Sequence, residues 1–223
     1  MIKKARISKP NTNEILMYLG YRGQEITADI KDQIKRCTAE ALSCCNPRLV
    51  YKILPVYSGQ IDTLPLEGHD IQALLESSEK AVVFAATLGS EAESLLMRSG
   101  VKSMSDALIM DAALSSVIEN VCDNFEEDMR RVAKSEGLYL TDRYSPGYGD
   151  LPLTSQTLLC ELLNTHRRIG LTVTPNHLMI PRKSVTAIMG MSVKEPTLRR
   201  KGCEVCSMFL NCDYRKEGKI CNG

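Results

Sequence analysis

From Ser105 to Lys134 apolar residues return every three or four positions, at Ala107, Met110, Leu114, Val117, Val121, Phe125, Met129 and Val132. That spacing lines one face of a helix and predicts a long amphipathic one, with Gly137 as its C-cap. The same spacing through Glu25 to Cys45, at Ile26, Ile30, Ile34, Cys37 and Ala41, predicts a second helix stopped by Asn46-Pro47. Between the two the pattern becomes β-rich. Leu49 to Leu54 reads as a strand ended by Pro55, and Lys80 to Thr87 as a second, more buried strand, with a short helix over His69 to Ser77 between them. After the long helix come a short strand at Leu138 to Thr141, a Pro/Gly loop, a helix over Ser155 to Leu163, and strand-like stretches at Ile169 to Val173 and Val185 to Met191. Strands and helices do not alternate regularly, which favours α+β over a doubly wound parallel sheet. The chain shows no internal repeat and no low-complexity linker.

Composition narrows the class. At 223 residues, 43% hydrophobic and 25% charged, the chain is a folded globular protein, with room for one large domain and an appendage. No apolar run is long enough to span a bilayer, and the start, Met1 to Arg6, lacks an apolar signal core, so a cytoplasmic protein with no membrane association is expected. The net charge of +1 conceals an asymmetry: residues 182–223 carry nine Lys/Arg against four Asp/Glu, which leaves residues 1–181 at −4. A basic end can steer an acidic protein. It does not read as a nucleic-acid module, since its aromatics are only Phe209 and Tyr214 and no recognition motif is present.

Nine cysteines without an export signal do not read as a disulfide framework. Cys37, Cys44, Cys45, Cys122 and Cys160 fall within predicted helices and read as small buried hydrophobes. The other four, Cys203, Cys206, Cys212 and Cys221, crowd the end with one close pair, a set that can ligate zinc or an iron-sulfur cluster, or remain as free thiols. The spacing does not choose among these.

The densest irregular stretch is Asp142-Arg143-Tyr144-Ser145-Pro146-Gly147-Tyr148-Gly149-Asp150-Leu151-Pro152. Pro146-Gly147 suits a turn whose second central residue has positive φ. Arg143 offers a planar fork for a carboxylate, while Tyr144 and Tyr148 offer ring faces for a cation or heterocycle, a set that matches an amino-acid-like ligand. The plainer alternative is a surface turn in which Arg143 pairs with Asp142 or Asp150.

The run Arg143 to Tyr148, followed by Ile169-Gly170-Leu171-Thr172 and by Leu178-Met179-Ile180-Pro181-Arg182-Lys183-Ser184-Val185, resembles the activation domain of cobalamin-dependent methionine synthase. The resemblance covers about Thr87 to Met191 and is strongest over Arg143 to Ser184. It implies an α+β domain over residues 1–200, with a twisted, mainly antiparallel sheet and packed helices; the Cys-rich tail at 201–223 departs from the family's pattern and is not explained by it. In that family the R-x-x-P-G-Y loop binds S-adenosylmethionine. Carried over, Arg143 meets the ligand carboxylate, and Pro146, Gly147 and Tyr148 lie against the nucleoside. The family also uses an acidic residue from early in the domain, for which no residue is assigned here.

The function so implied is that of a free-standing accessory subunit without turnover of its own. It binds S-adenosylmethionine and docks on the cobalamin-binding module of a methionine synthase, with flavodoxin or ferredoxin as electron donor, to support reductive methylation of cob(II)alamin. Cobalamin is carried by the partner, because the chain lacks the Asp-x-His-x-x-Gly ligand motif. Two alternatives differ in class: a redox activator of other corrinoid methyltransferases, using an iron-sulfur cluster in the tail, or a scaffold that keeps the fold without the ligand. Other chemistry is weakly signalled. Thr87-Leu88-Gly89 resembles the start of a nucleotide-binding turn without the remaining glycines; no Cys-x3-Cys-x2-Cys and no P-loop are present. His69, His166 and His177 lack metal-ligand spacing, and Glu126-Glu127 reads as a solvated helix face.

Overall fold

The computed structural model describes residues 2–7, 10, 12–21 and 23–196. The strands are β1 (Ile2–Lys4), β2 (Arg48–Pro55), β3 (Ser78–Thr87), β4 (Tyr139–Leu140), β5 (Thr172–Val173), β6 (Met179–Ile180) and β7 (Ser184–Ser192). The helices are α1 (Thr12–Tyr18), α2 (Ala28–Ser43), α3 (His69–Leu75), α4 (Ser90–Lys102), α5 (Met104–Ser135), α6 (Ser155–Leu163) and α7 (Thr165–Ile169).

Five strands form one sheet in the order β1-β2-β3-β7-β4, every neighbouring pair antiparallel, and β5 and β6 form a separate small hairpin. The fold is α+β, as the irregular order of elements predicts. β3 lies at the centre, paired with β2 from Arg48↔Thr87 to Pro55↔Lys80 and with β7 from Thr87↔Ser184 to Ser78↔Ser192. Both of its faces are buried, which is why Ala81-Val82-Val83-Phe84-Ala85-Ala86 is apolar without a break.

Successive strand residues point to opposite faces, and the core divides accordingly. Leu49, Val82, Phe84, Ala187 and Met189 pack beneath α1, α2, α4 and α5. Val50, Ala81, Val83, Ala85 and Ile188 pack beneath α3, α6, α7 and the loop carrying Ile61 and Leu64. The first face is the stronger seam. Phe125 of α5 sets its ring against Tyr51 of β2 and Phe84 of β3, with centroids 5.2 and 5.0 Å away. Its burial contributes about 2–3 kcal/mol on the area scale.

Helix limits follow the expected signals within a few residues. Thr27 caps α2 by accepting the Ile30 amide, and the turn after α5 closes on Gly137, with the Leu138 amide reaching back to Ala133 O at 2.9 Å. Three expectations change. Ile30 is 43% exposed, because α2 buries only the stripe Ile34, Cys37 and Ala41. Ile169 does not start a strand; it ends α7, a single turn bracketed by left-handed Asn164 and Gly170. α4 supplies a helix on the core face that the earlier periodicity does not include.

Buried cysteines behave as expected. Cys37, Cys122 and Cys160 are enclosed, Cys44 and Cys45 half-buried, and burial pushes the thiols of Cys37 and Cys45 up to about 11 and about 12. Such thiols stay protonated and inert at neutral pH. Among the described residues no group of three or more His, Cys, Asp or Glu could hold a metal, and no helix is long and apolar enough to cross a membrane. Cys203, Cys206, Cys212 and Cys221 lie outside the described residues.

Candidate ligand site

The site forms where the sheet runs out of strands. β4 pairs with β7 only at Tyr139↔Ser192 and Leu140↔Met191. The chain then continues along the edge without being a full strand. Thr141 donates to Gly190 O at 2.9 Å, and Tyr144 and Ile188 exchange both backbone bonds, at 2.8 and 2.9 Å. Past Tyr144 the chain turns away. On the two-residue alternation, the next outward-facing N–H and C=O of β7 belong to Thr186, which has no strand beside it among the described residues.

The same alternation sends Arg143 and Tyr144 to opposite sides. Arg143 faces α5. There Glu119, Asp123 and Glu126, spaced four and three residues apart on one helix face, surround its guanidinium: Nη2 donates to Glu119 at 2.6 Å, and Nη1 to Asp123 at 2.6 Å and Glu126 at 3.1 Å. Glu126 also accepts from Arg130 at 2.8 Å. Burial works against the Arg143 charge, but these carboxylates more than offset it and hold the group protonated.

Tyr144 points into the other core and is 1% exposed. Its hydroxyl sits between Asp70 Oδ2, at 2.9 Å, and the Tyr148 carbonyl, at 3.0 Å. The ring is therefore a structural anchor, not a face for a ligand, and only Tyr148, 66% exposed, remains for that role.

Between them lies the expected turn. The Tyr148 amide closes on Ser145 O at 3.2 Å, with Pro146 second and Gly147 third at φ +89°, the conformation such a turn requires there. Gly147 then donates to Leu151 O at 2.9 Å. Gly149, at φ +52°, is where close approach matters: a Cβ there would collide with Asp70 Oδ2 and the Tyr144 hydroxyl. Asp150 completes the latch, accepting the amides of His69 at 2.6 Å and Asp70 at 3.1 Å. These amides open α3, whose own N-cap, Gly68, has no side chain to offer. The His69 amide bond, followed by that of Asp70, holds the Asp150 carboxyl below the usual aspartate range.

Arg143 thus does pair with carboxylates, but with those of α5. Asp142 and Asp150 are not its partners, and Glu126 is not a solvated surface residue; Glu127 keeps that description, with 55% of its side chain exposed.

A pocket of about 430 Å³ opens between these parts. Arg143 and Glu119 form one wall, Ser145, Pro146 and Tyr148 another, and Met179 of β6 and Ser184 to Thr186 of β7 the floor. Gln156 of α6 is buried beside it and donates to His177 O at 2.7 Å, while the Thr157 hydroxyl meets His177 Nδ1 at 3.0 Å. These bonds tie the β5–β6 hairpin to α6, so His177 holds a wall in place. The volume suits a nucleoside-sized ligand. The pocket's charged lining is one carboxylate, Glu119, and one guanidinium, Arg143, with Asp123 and Glu126 bonded to Arg143 outside it.

Glu119, Asp123, Gln156 and Thr186 are not found by sequence reasoning. The only signal for the first two is their common helix face with Glu126. Another neighbour comes from α1: Glu14 accepts from the Ser116 hydroxyl, one turn before Glu119, and the half-buried Tyr18 phenol is pushed up to about 12 by burial and by the Glu119 and Glu14 carboxylates. The turn at Thr87-Leu88-Gly89 does lead from strand to helix, but the first turn of α4 carries Glu91 and Glu93, and Glu93 binds Arg182. It offers no cradle for phosphate.

No family model and no curated protein matches the chain. A solved structure does: one described as the MetH reactivation domain bound to AdoHcy, superposing with a TM-score of 0.64 over 99% of this chain and 87% of that one, at 14% identity. The fold defines a class, an α+β domain with helices on both sheet faces and a turn-lined pocket at the sheet edge. More narrowly, it is the fold of the methionine synthase activation domain.

Proposed function

We propose that the chain binds S-adenosylmethionine in the pocket beside Arg143 and acts as an accessory subunit in the reductive methylation of cob(II)alamin on a cobalamin-dependent methionine synthase. One observation carries the reading. An arginine, the Glu119 carboxylate and an exposed tyrosine converge on a nucleoside-sized pocket, in a fold shared with a domain bound to AdoHcy.

Each part answers one part of the ligand. Arg143 takes the carboxylate, displacing the Asp123 contact, since Asp123 is the most exposed of its three partners at 64%. Glu119, and Asp123 once its contact is displaced, face the ammonium and sulfonium charges. Tyr148 covers the adenine, and the outward N–H and C=O of Thr186, with no strand beside them among the described residues, offer one donor and one acceptor to its edge. Pro146 and Gly147 fix the turn against the ribose. S-adenosylmethionine supplies the methyl group; the protein's task is to hold it in line with the corrin. Methyl transfer consumes the reduced corrinoid and so draws an unfavourable one-electron reduction forward.

The partner's cobalamin module docks on the rim, where Tyr148, Leu178 and Ile180 are 66%, 60% and 50% exposed. The electron donor is a flavodoxin or ferredoxin, and the setting is the cytoplasm.

Calorimetric titration with S-adenosylmethionine tests the reading. One-to-one binding is expected, weakened about 10- to 100-fold in Arg143→Ala, the worth of a charge-assisted pair. Near-wild-type affinity in that variant overturns the role of Arg143 and with it the proposal.

A further inference from the structure

The pocket beside Arg143 has a charged wall and a neutral one, the latter where Gln156, Met179 and Thr186 meet. Gln156 is the unusual member. It sits in the first turn of α6 on the helix face that buries Leu159, Cys160 and Leu163, and it is as enclosed as they are, at 5% exposure. A polar side chain in an apolar stripe needs partners for both ends of its amide. One end is settled. The His177 carbonyl can only accept, so the 2.7 Å bond to it identifies the bonded atom as Nε2 and leaves Oε1 turned elsewhere. The other end is poorly served. Among the described residues the donor to Oε1 is the Thr186 hydroxyl at 3.5 Å, well beyond the about 2.5–3.0 Å of an O–H···O bond.

An enclosed acceptor, fixed from one side and scarcely bonded on the other, favours a ligand that brings a neutral N–H or O–H donor. Its surroundings narrow the choice. The side chain of Thr186 shares the α6 face of the sheet with Ile188, so Oε1 lies next to the stretch of β7 whose outward N–H and C=O have no strand beside them. An exocyclic amino group on a flat heterocycle has two hydrogens in one plane, one for the Thr186 carbonyl and one for Oε1. A 6-oxo group in the same place would set a lone pair against each of these oxygens.

Resting on the reading of this pocket as a site for S-adenosylmethionine, we infer that Gln156 determines base specificity, its Oε1 accepting a hydrogen of the adenine 6-amino group and so selecting 6-amino over 6-oxo purines. Calorimetric titration of the full chain with S-adenosylmethionine and with its 6-deaminated analogue, S-inosylmethionine, tests it; the two share their charges and their amino-acid end. The wild-type protein should prefer the adenosyl compound by more than about tenfold, and Gln156→Leu, close in volume, should reduce that preference by about tenfold. Thr157→Val removes the other side-chain bond to His177 without touching Oε1, so it should weaken both ligands alike and leave the preference intact. Equal affinities in the wild-type protein overturn the role of Gln156, as does a preference unchanged in Gln156→Leu, and either result leaves the pocket reading standing. Failure of both compounds to bind the wild-type protein overturns that reading and this inference with it.

Discussion

The two faces of the central sheet are held by different means. Beneath α1, α2, α4 and α5 the contact is a broad apolar seam centred on Phe125 and running the length of a 32-residue helix. Beneath α3, α6 and α7 the helices are short, and polar latches place them: Asp150 on the α3 amides, Tyr144 on Asp70, Gln156 and Thr157 on His177. Apolar contact is large and undirected, so it sets stability; hydrogen bonds are smaller and directional, so they set position. The pocket draws on both, taking its carboxylates from the first face and its turn from the second.

That division is broken most forcefully at Phe125. Phe125→Ala should cost about 3–5 kcal/mol, measured by urea unfolding, because the cavity opens between Tyr51 and Phe84 and cannot collapse. Ligand affinity of the protein that remains folded should stay within about twofold, since Phe125 bears on the sheet and not on Arg143. Should affinity collapse in parallel, the two faces would not be separable.

Gly149→Ala sharpens the contrast from the other side. A left-handed alanine pressed against the Asp70–Tyr144 bond should cost about 2 kcal/mol of stability yet lower S-adenosylmethionine affinity more than Phe125→Ala does, as read by calorimetry. The smallest effect belongs to Asp150→Asn, and its signature is pH. The folded pKa of Asp150 is depressed, so its contribution is complete above the unfolded value of about 3.9 and is lost as pH falls through the folded one. The stability gap between wild type and Asp150→Asn should therefore be flat from neutral pH down to about pH 5 and close below about pH 4 in acid unfolding series.

Much of the fold is visible in the sequence because its main elements are strongly patterned. The three-to-four spacing of α5 and the unbroken apolar run of β3 each have a single local explanation. α4 is less legible: Gly100 and three serines dilute its stripe, and two of its large apolar residues point outward. The turn at Pro146-Gly147 is also local, and so is readable. Glu119 and Asp123 are not, since their role exists only once a chain segment some 20 residues later lays Arg143 across them. Asp150 presents the same difficulty, as nothing near it in sequence indicates that it completes the start of α3.

The opposite headings of Arg143 and Tyr144 bear on what insertions and deletions this chain can survive. Between the pairing of Leu140 with Met191 and the bridge at Tyr144, each residue added or removed exchanges the two sides of the sheet, driving a guanidinium into the apolar layer and a phenol among the carboxylates. Three positions of connecting chain, Thr141 to Arg143, thus have a fixed length even though they belong to no regular element. Relatives of this protein should keep the arginine at the last of these positions and vary scarcely at all in how many residues they use.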